Sequence, residues 1–475
     1  MLPAGLTPRL RAVVGHDGVL DRPEALRVYE CDGYTLERAV PELVVLPRTP
    51  AEVAAVMRCL AADAVAFVPR GAGTGLSGGT LPVAAPVMIC TSRLQQIESI
   101  DVANRRIVVQ AGVVNSWVTR AVAAHGLQYA PDPSSQPACT IGGNVAENSG
   151  GPHTLKYGVT TNHVLGVELV LPSGDVVTLG GSVEERPGYD LTGLVVGAEG
   201  TFGIVTRATL RLVRTPEAWR TLLAVFASVD AASEAVSGII AAGIVPAALE
   251  MMDQLIIQAV EAAFHTGLPT DAGAVLLVEL DGPAAGLDPQ MEQVTAVCRT
   301  HGATEVRAAR DEAERAALWK CRKRAFGAVG RLAPNYCTQD GVVPRTRVPD
   351  ILRAIAGAAA RHRLRIGNVF HAGDGNIHPI ILFDERDTDE VERVLAAGRE
   401  ILEACVALGG SLTGEHGIGV EKMAQMPLLF GPDDLRAMTR LRAVFDPEGR
   451  ANPHKIIPDA KSCVEARTPR RQVPI

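Results

Sequence analysis

Pro69-Arg-Gly-Ala-Gly-Thr-Gly-Leu-Ser-Gly-Gly-Thr80 is the stretch on which the fold turns. Glycine lets backbone N–H groups come close to a phosphate and turn through positive φ. A second glycine-bearing segment follows about 60 residues later, Pro131-Asp-Pro-Ser-Ser-Gln-Pro-Ala-Cys-Thr-Ile-Gly-Gly-Asn144. Two such loops on a strand-rich background predict one large bound diphosphate cofactor. Gly73-Thr-Gly75-Leu-Ser-Gly78 also satisfies G-x-G-x-x-G, and Glu98 lies 20 residues beyond it, as in a nicotinamide dinucleotide site. That motif needs a helix directly after the last glycine. Leu81-Pro82-Val-Ala-Ala-Pro86 stands there instead, and its prolines disfavour a helix interior. The loop is expected to wrap the diphosphate with N–H groups and without a long helix dipole.

The chain has 475 residues, enough for two or three domains. It is 47% hydrophobic and 21% charged, an ordinary globular balance. A net charge of −7 and 4% aromatics argue against a general nucleic-acid binder. No apolar run reaches the roughly 18 residues of a membrane span. The start shows no signal-peptide pattern. A cytoplasmic protein is expected, held peripherally at the inner membrane, if at all, through partner subunits. The nine cysteines include no C-x-x-C pair, so they read as free thiols. Any iron–sulfur cluster in its electron path would sit on another chain.

Hydrophobic periodicity gives a coarse outline. Residues 1–40 read as an irregular lead-in with a short helix. A helix is expected at Ala51–Ala62, with strands at Ala64–Pro69, Val87–Thr91, Arg106–Ala111 and Val164–Pro172. Leu169 to Thr178 reads as a hairpin and Gly203–Val213 as a further strand. Beyond Thr215-Pro216, strands at Leu222–Phe226, Val275–Leu280 and Thr304–Ala308 alternate with helices at Ala231–Ala242 and Met291–His301. That alternation predicts an α+β unit with one sheet. A last helix is expected at Asp434–Phe445, and the tail from Asp459 onward reads as disordered.

Six ordered motifs carry a resemblance. They are the two glycine segments, Lys156-Tyr-Gly158, Gly197-Ala-Glu-Gly-Thr-Phe-Gly203, Asn368-Val-Phe-His-Ala-Gly-Asp-Gly-Asn-Ile-His378 and Gly414-Glu-His-Gly-Ile-Gly419. Over about residues 38–457 the chain resembles the FAD-linked oxidases of the vanillyl-alcohol oxidase (PCMH-type) superfamily. Within it the chain is most similar to the glycolate oxidase and D-lactate dehydrogenase branch. The resemblance implies an α+β fold: a PCMH-type FAD-binding domain of two α/β subdomains, and an α+β, ferredoxin-like cap. The implied division is a lead-in at 1–37, the FAD-binding domain at 38–215 and the cap at 216–425. A segment at 426–457 returns to the FAD domain, and a tail covers 458–475. Implied pyrophosphate contacts are Arg70, Gly71, Ala72, Gly73, Thr74, Gly75 and Ser77. Pro131, Thr140, Gly143, Asn144 and Gly150 would line the flavin side, and Asn452 belongs to the returning segment. Glu199, Gly203 and Ile204 would hold the adenosine end or the adjoining strand. Relatives with covalent flavin use a His in the first glycine loop; none occurs between Pro69 and Thr80, so non-covalent FAD is expected.

His371 and His378 flank Ala-Gly-Asp-Gly-Asn, a strong turn sequence, so flanking strands would bring the imidazoles together. Glu415 and His416 share a second glycine-framed motif. Two His and a carboxylate suit a divalent cation with an open position, although the spacing alone is only suggestive. The resemblance assigns His371, His378 and Glu415 as ligands of a divalent metal, zinc or manganese, His416 as catalytic base and Arg322 as carboxylate clamp. A guanidinium fork matches a carboxylate bidentately. Dicarboxylate-using relatives carry a Lys where Thr338 stands here, which favours a small monocarboxylate. The expected reaction is oxidation of glycolate or D-lactate to the 2-oxo acid, with electrons passed to a quinone or to iron–sulfur and second flavoprotein subunits. The alternatives are a stand-alone D-lactate dehydrogenase and a non-redox flavin transferase of the alkyl-glycerone-phosphate synthase type.

Overall fold

The first glycine loop leaves the end of a short parallel strand, and the sheet around that strand explains why. The computed structural model describes residues 2–183 and 188–458. The expected disordered tail and Cys463 lie outside these residues. A four-stranded sheet runs in the order Val19–Leu20, Leu43–Val45, Val87–Cys90, Phe67–Arg70. Val87–Cys90 pairs in parallel with both neighbours. The crossover helix Pro50–Ala62 buries Val53, Val56, Met57 and Leu60 along one stripe. Thr49 caps it, its hydroxyl accepting the Glu52 N–H at 3.1 Å. Pro50 occupies the first turn, where its missing N–H is not needed. The expected strand Ala64–Pro69 is Phe67–Arg70. No helix follows the glycine loop, and Val87 opens the next strand. Phe67 N–H donates to the Arg450 carbonyl at 3.0 Å, and Asn452 N–H to the Phe67 carbonyl at 2.8 Å.

The second sheet is antiparallel, in the order Ile97–Asp101, Arg106–Gln110, Ile204–Arg211, Val164–Val170, Val176–Gly180. The expected hairpin closes with the Gly174 N–H on the Leu171 carbonyl at 2.8 Å. Along Ile204–Arg211 the residues Ile204, Thr206, Ala208 and Leu210 are buried and their neighbours half-buried, the period-two pattern that revealed the strand. The second glycine segment starts the helix Ile141–Glu147, whose Ile141 and Val145 join the core of Val109, Leu169 and Ala208.

The third sheet is the largest and wholly antiparallel. Its order is Ala303–Ala308, Ala218–Phe226, Ala274–Gly282, Ala248–Asp253, Arg365–His371, Asn376–Ile377, Gly341–Val342. Asn335–Thr338 and Pro379–Phe383 extend it. Both faces are covered, so its strands are apolar nearly throughout. Leu222, Ala224 and Phe226 face the helices Val229–Ala241, Ala284–Thr300, Val348–His362 and Thr388–Ala407. Leu223 and Val225 face Gln254–Phe264, Glu312–Lys323 and Ala325–Val329. Glu250, Glu279 and His371 fall on this second face, by parity with Met252, Leu277 and Val369. Five of these helices and the strand Ala248–Asp253 carry no expectation from the sequence.

That polar row meets the glycine-rich half of the chain. His153 sits between Asp132 (3.0 Å from Nδ1) and Glu279 (3.3 Å from Nε2), and stacks on Trp319 at 5.4 Å. Lys156 pairs with Asp281, and the Tyr157 hydroxyl donates to Asp281 at 2.6 Å. Burial opposes charge on His153, but Asp132 and Glu279 outweigh it and lift its pKa from 6.5 to about 10. Burial likewise opposes charge on Glu279, but His153 and Arg315 hold it down from 4.5 to about 2. The raised imidazole contributes stability that is full below pH 6.5 and lost as pH rises through about 10. The depressed carboxyl contributes above pH 4.5 and is lost as pH falls towards 2. Thermal unfolding of His153→Gln should therefore show a deficit of about 2 kcal/mol between those limits. The gap to the unsubstituted protein should close near pH 10; a deficit independent of pH would reject the charged clamp.

Candidate active site

Two adjoining cavities share Gly71, Thr80, Gly143 and Glu147 on their walls. The inner one, lined by Arg70, Glu199, Gly203 and Ile204, runs towards the second sheet. The outer one, of about 320 Å³, is walled on one side by Ala72, Gly73, Thr74, Gly75, Thr140 and Asn144. On the other side stand Arg322, His371, His378, Glu415 and His416. The structure thus brings the two sets of sequence motifs face to face across one gap. Bare backbone is required on the first wall: a Cβ at Gly71 would lie 2.6 Å from Thr140 Oγ1, and Gly73, at φ 71°, would drive one into the Arg70 guanidinium. Thr140 Oγ1 is buried and has no protein partner. A glycine cradle with a spare hydroxyl fits a dinucleotide diphosphate.

Ser77, Pro131, Gly150 and Asn452 are not on these two walls. Ser77 is fully buried, and its carbonyl accepts the N–H groups of Val420 (3.1 Å) and Glu421 (3.2 Å). The Asn452 amide donates to the carbonyls of Gly79 (2.9 Å) and Glu199 (2.7 Å). Gly150 lies so close to Glu415 that a Cβ would stand 2.8 Å from its Oε2. Glu199 lines the inner cavity, but its carboxylate accepts from Ile418 and Gly419 N–H, each at 2.7 Å. Ser77, Gly150, Glu199 and Asn452 pack the walls together.

The far wall is built by pairing. His371 ends the strand Arg365–His371 and pairs across the tight turn with Asn376, which places His378 beside it. The rings meet edge to face with centroids 5.1 Å apart. Glu415 Oε1 is 3.2 Å from Nε2 of each. All three ligand atoms lie within 4.8 Å of one another. This donor set fits one zinc- or manganese-sized cation. Burial would raise the Glu415 pKa, but the two imidazoles hold it well below the carboxylate range. Burial would lower that of His371, but Glu250 and Glu415 hold it well above the imidazole range. The groups therefore favour positive charge at their centre. His416 stacks parallel to His378 at 4.9 Å. Burial drives its pKa down to about 4, so the ring is neutral near neutral pH, and its Nδ1 has no partner.

Two residues that the sequence left without a role organise this wall. Asp340 is fully buried and accepts from the Thr413 hydroxyl (2.5 Å) and the N–H groups of Gly414 (3.0 Å), Glu415 (3.2 Å) and His416 (2.9 Å). Lys422 Nζ, also fully buried, lies 3.4 Å from it. Glu250, 1% exposed, touches His371 Nδ1 at 2.7 Å and Arg322 Nη2 at 2.5 Å. Arg322 itself is 1% exposed, and the angles to Glu250 are too poor for a hydrogen bond. Its Nε, Nη1 and Nη2 are all left without hydrogen-bond partners, on the cavity wall. Thr338 is not on that wall, while Lys323 is, 3.5 Å from Asp132. Removing the Asp340 charge takes the nearer carboxylate from a buried ammonium and leaves Glu421, 3.7 Å away, as its ion-pair partner, which costs about 3 kcal/mol. Denaturant unfolding of Asp340→Asn should show that loss, and Asp340→Asn/Lys422→Met should recover part of it.

The chain matches the family model "FAD binding domain" over residues 41–180 and "FAD linked oxidases, C-terminal domain" over residues 215–456. It is 47% identical over 447 residues to the "Glycolate oxidase subunit GlcD" of Escherichia coli (strain K12), covering 94% of this chain and 90% of that one. It is 31% identical to the "Probable D-lactate dehydrogenase, mitochondrial" of Danio rerio, covering 94% and 90%. Among solved structures, 4-ethylphenol oxidase from Gulosibacter chungangensis superposes with a TM-score of 0.81 at 18% identity, over 96% of this chain and 99% of that one. The last comparison carries the PCMH-type fold alone.

Proposed function

The chain belongs to the FAD-linked oxidases and is an FAD-dependent oxidoreductase, and from that premise we propose that it oxidises a small D-2-hydroxy acid, glycolate or D-lactate, to the 2-oxo acid. The observation that carries the proposal is Arg322: a buried guanidinium, charge-paired with Glu250 but with no hydrogen bond at any of its three nitrogens, on the same wall as a His–His–Glu set and opposite a glycine cradle. A buried donor without a partner is costly, so a site that keeps several awaits an anion. The names of the relatives, glycolate oxidase subunit and D-lactate dehydrogenase, are consistent with that anion being a 2-hydroxy acid.

The two glycine segments would hold non-covalent FAD, which would supply a two-electron acceptor, and His371, His378 and Glu415 would hold a divalent cation, which would supply Lewis acidity. The chain's own residues do the rest. Arg322 takes the substrate carboxylate in its fork and fixes the molecule's direction. His416 receives the hydroxyl proton on a ring nitrogen, and Asp340 faces the positive charge that results. General-base catalysis of this kind contributes ~10²–10⁴ in rate. Phe326 and Tyr336 complete the wall beyond Arg322, and Lys323 there is paired with Asp132. A second carboxylate would find no free cation among these residues, which favours a short monocarboxylate. The 2-oxo acid leaves, and the electrons pass to a quinone or to an iron–sulfur partner, the chain serving as one flavoprotein subunit of an assembly. The eight described cysteines are all unpaired thiols, and the sequence holds no C-x-x-C to carry a cluster. No helix among the described residues is long and apolar enough to cross a membrane.

The test is anaerobic addition of short hydroxy acids to the yellow protein. Glycolate or D-lactate should bleach the flavin; a non-redox transferase would end with oxidised flavin. His416→Ala should keep the FAD spectrum and lose bleaching by at least ~10²-fold in rate. Bleaching at the unsubstituted rate would remove His416 from the role of base.

A further inference from the structure

We propose that Glu250 is a positioning residue that holds the metal-binding and carboxylate-binding ends of the site at a fixed separation. The inference rests on the reading of His371 and Arg322 given under the proposed function. Glu250 lies in the strand Ala248–Asp253, directly opposite His371 in the antiparallel register. Its parity with Ala248 and Met252 turns it to the face of the sheet that carries the site. Directly opposed residues on one sheet face are the closest side-chain neighbours that a sheet offers.

Each oxygen of the carboxylate serves a different partner. Oε1 is 2.7 Å from His371 Nδ1. With a cation bound, a carboxylate there would keep the ring proton on Nδ1 and leave the lone pair on Nε2, the nitrogen 3.2 Å from Glu415, free to ligate it. Oε2 is 2.5 Å from Arg322 Nη2, off the hydrogen-bonding direction. It therefore compensates the guanidinium charge without consuming its donors. An uncompensated guanidinium at 1% exposure would be strongly unfavourable. A fully hydrogen-bonded one would have nothing left to offer a substrate. Glu250 meets both conditions, and it does so from a rigid central strand. Arg322 sits near the end of the helix Glu312–Lys323, which packs on the same face of the sheet through Leu318 and Trp319, and Glu250 adds a direct charge contact between its guanidinium and His371. One side chain thus sets the span between the hydroxyl and carboxylate of the bound acid.

The test compares Glu250→Gln, Glu250→Asp and His371→Ala in the FAD-loaded full chain. Zinc and manganese affinities are measured by chelator competition without substrate, and KM and kcat for glycolate and D-lactate at saturating metal. Glu250→Gln should keep its FAD absorbance and bind either metal roughly 10–100-fold more weakly. At saturating metal its KM should rise together with a fall in kcat. A merely structural role would shrink the active fraction and lower kcat alone, and that result overturns the proposal. If Glu250→Gln does not fold, Glu250→Asp is read in its place; it keeps the charge, shortens the reach and should move both affinities in the same direction. If neither variant retains FAD, Glu250 is a charge partner of the core and the proposal falls. If His371→Ala loses the metal while both Glu250 variants bind it as the unsubstituted protein does, this inference alone fails. If His371→Ala also binds it unchanged, the metal assignment fails, and the inference with it.

Discussion

The Asp340 carboxylate is the constraint from which the rest of the site follows. Four donors in the segment 413–416 converge on it, and Lys422 balances its charge from complete burial. A glycine-framed loop has little intrinsic preference for one conformation. Tied at consecutive N–H groups to one acceptor, it has essentially one. Burial alone would raise the Asp340 pKa, but His416, Lys422 and His378 depress it far below the carboxylate range. The anchor thus stays ionised at neutral pH. Glu415 is thereby delivered to the two imidazoles, and His416 to its stacked position on His378.

The same loop is clasped from the other side by the half of the chain that carries the glycine cradle. The Glu199 carboxylate takes Ile418 and Gly419, and the Ser77 carbonyl takes Val420 and Glu421. Gly419, at φ 53°, has no room for a Cβ against that carbonyl. The two walls are therefore not independent bodies that happen to meet. The segment that presents Glu415 and His416 is a structural part of both, and Asn452 ties the returning chain to the same place. A gap framed in this way holds its width without needing a ligand to set it.

This division explains what the amino-acid sequence discloses. The glycine segments, the His-x₆-His turn and the Glu-His pair are legible because their requirements are local: a turn, a close approach, a ring at a strand end. Leu169–Thr178 and Ile204–Arg211 are legible because one face is buried and the other is not. Ala248-Leu-Glu-Met-Met-Asp253 is not, because both faces are buried and its two carboxylates interrupt the apolar run. Glu250 gains its meaning from a register with residues about 120 positions away, which no window of sequence contains. Asp340 is hidden for the same reason: its partners begin 73 residues later. Ser77, Glu199 and Asn452 sit in the right motifs, yet their hydrogen bonds join walls, and a motif does not say which way a side chain turns. The resemblance of the whole pattern to a known family named the fold where local reading reached only a list of elements.

Charge on the far wall completes the argument. Its cations and anions come as adjacent pairs: Arg322 with Glu250, Lys323 with Asp132, Lys422 with Asp340, and His371 between Glu250 and Glu415. In a low-dielectric enclosure each pair is costly to break, so the wall is stiff. What distinguishes Arg322 is geometric: its charge is matched but its N–H directions are not. An incoming carboxylate therefore gains hydrogen bonds without first displacing Glu250 from them. Lys323 differs in that its ammonium is already drawn to within 3.5 Å of Asp132, which offsets part of its charge. On the function proposed above, selectivity for one small anion would come from directions left unfilled on a single planar group.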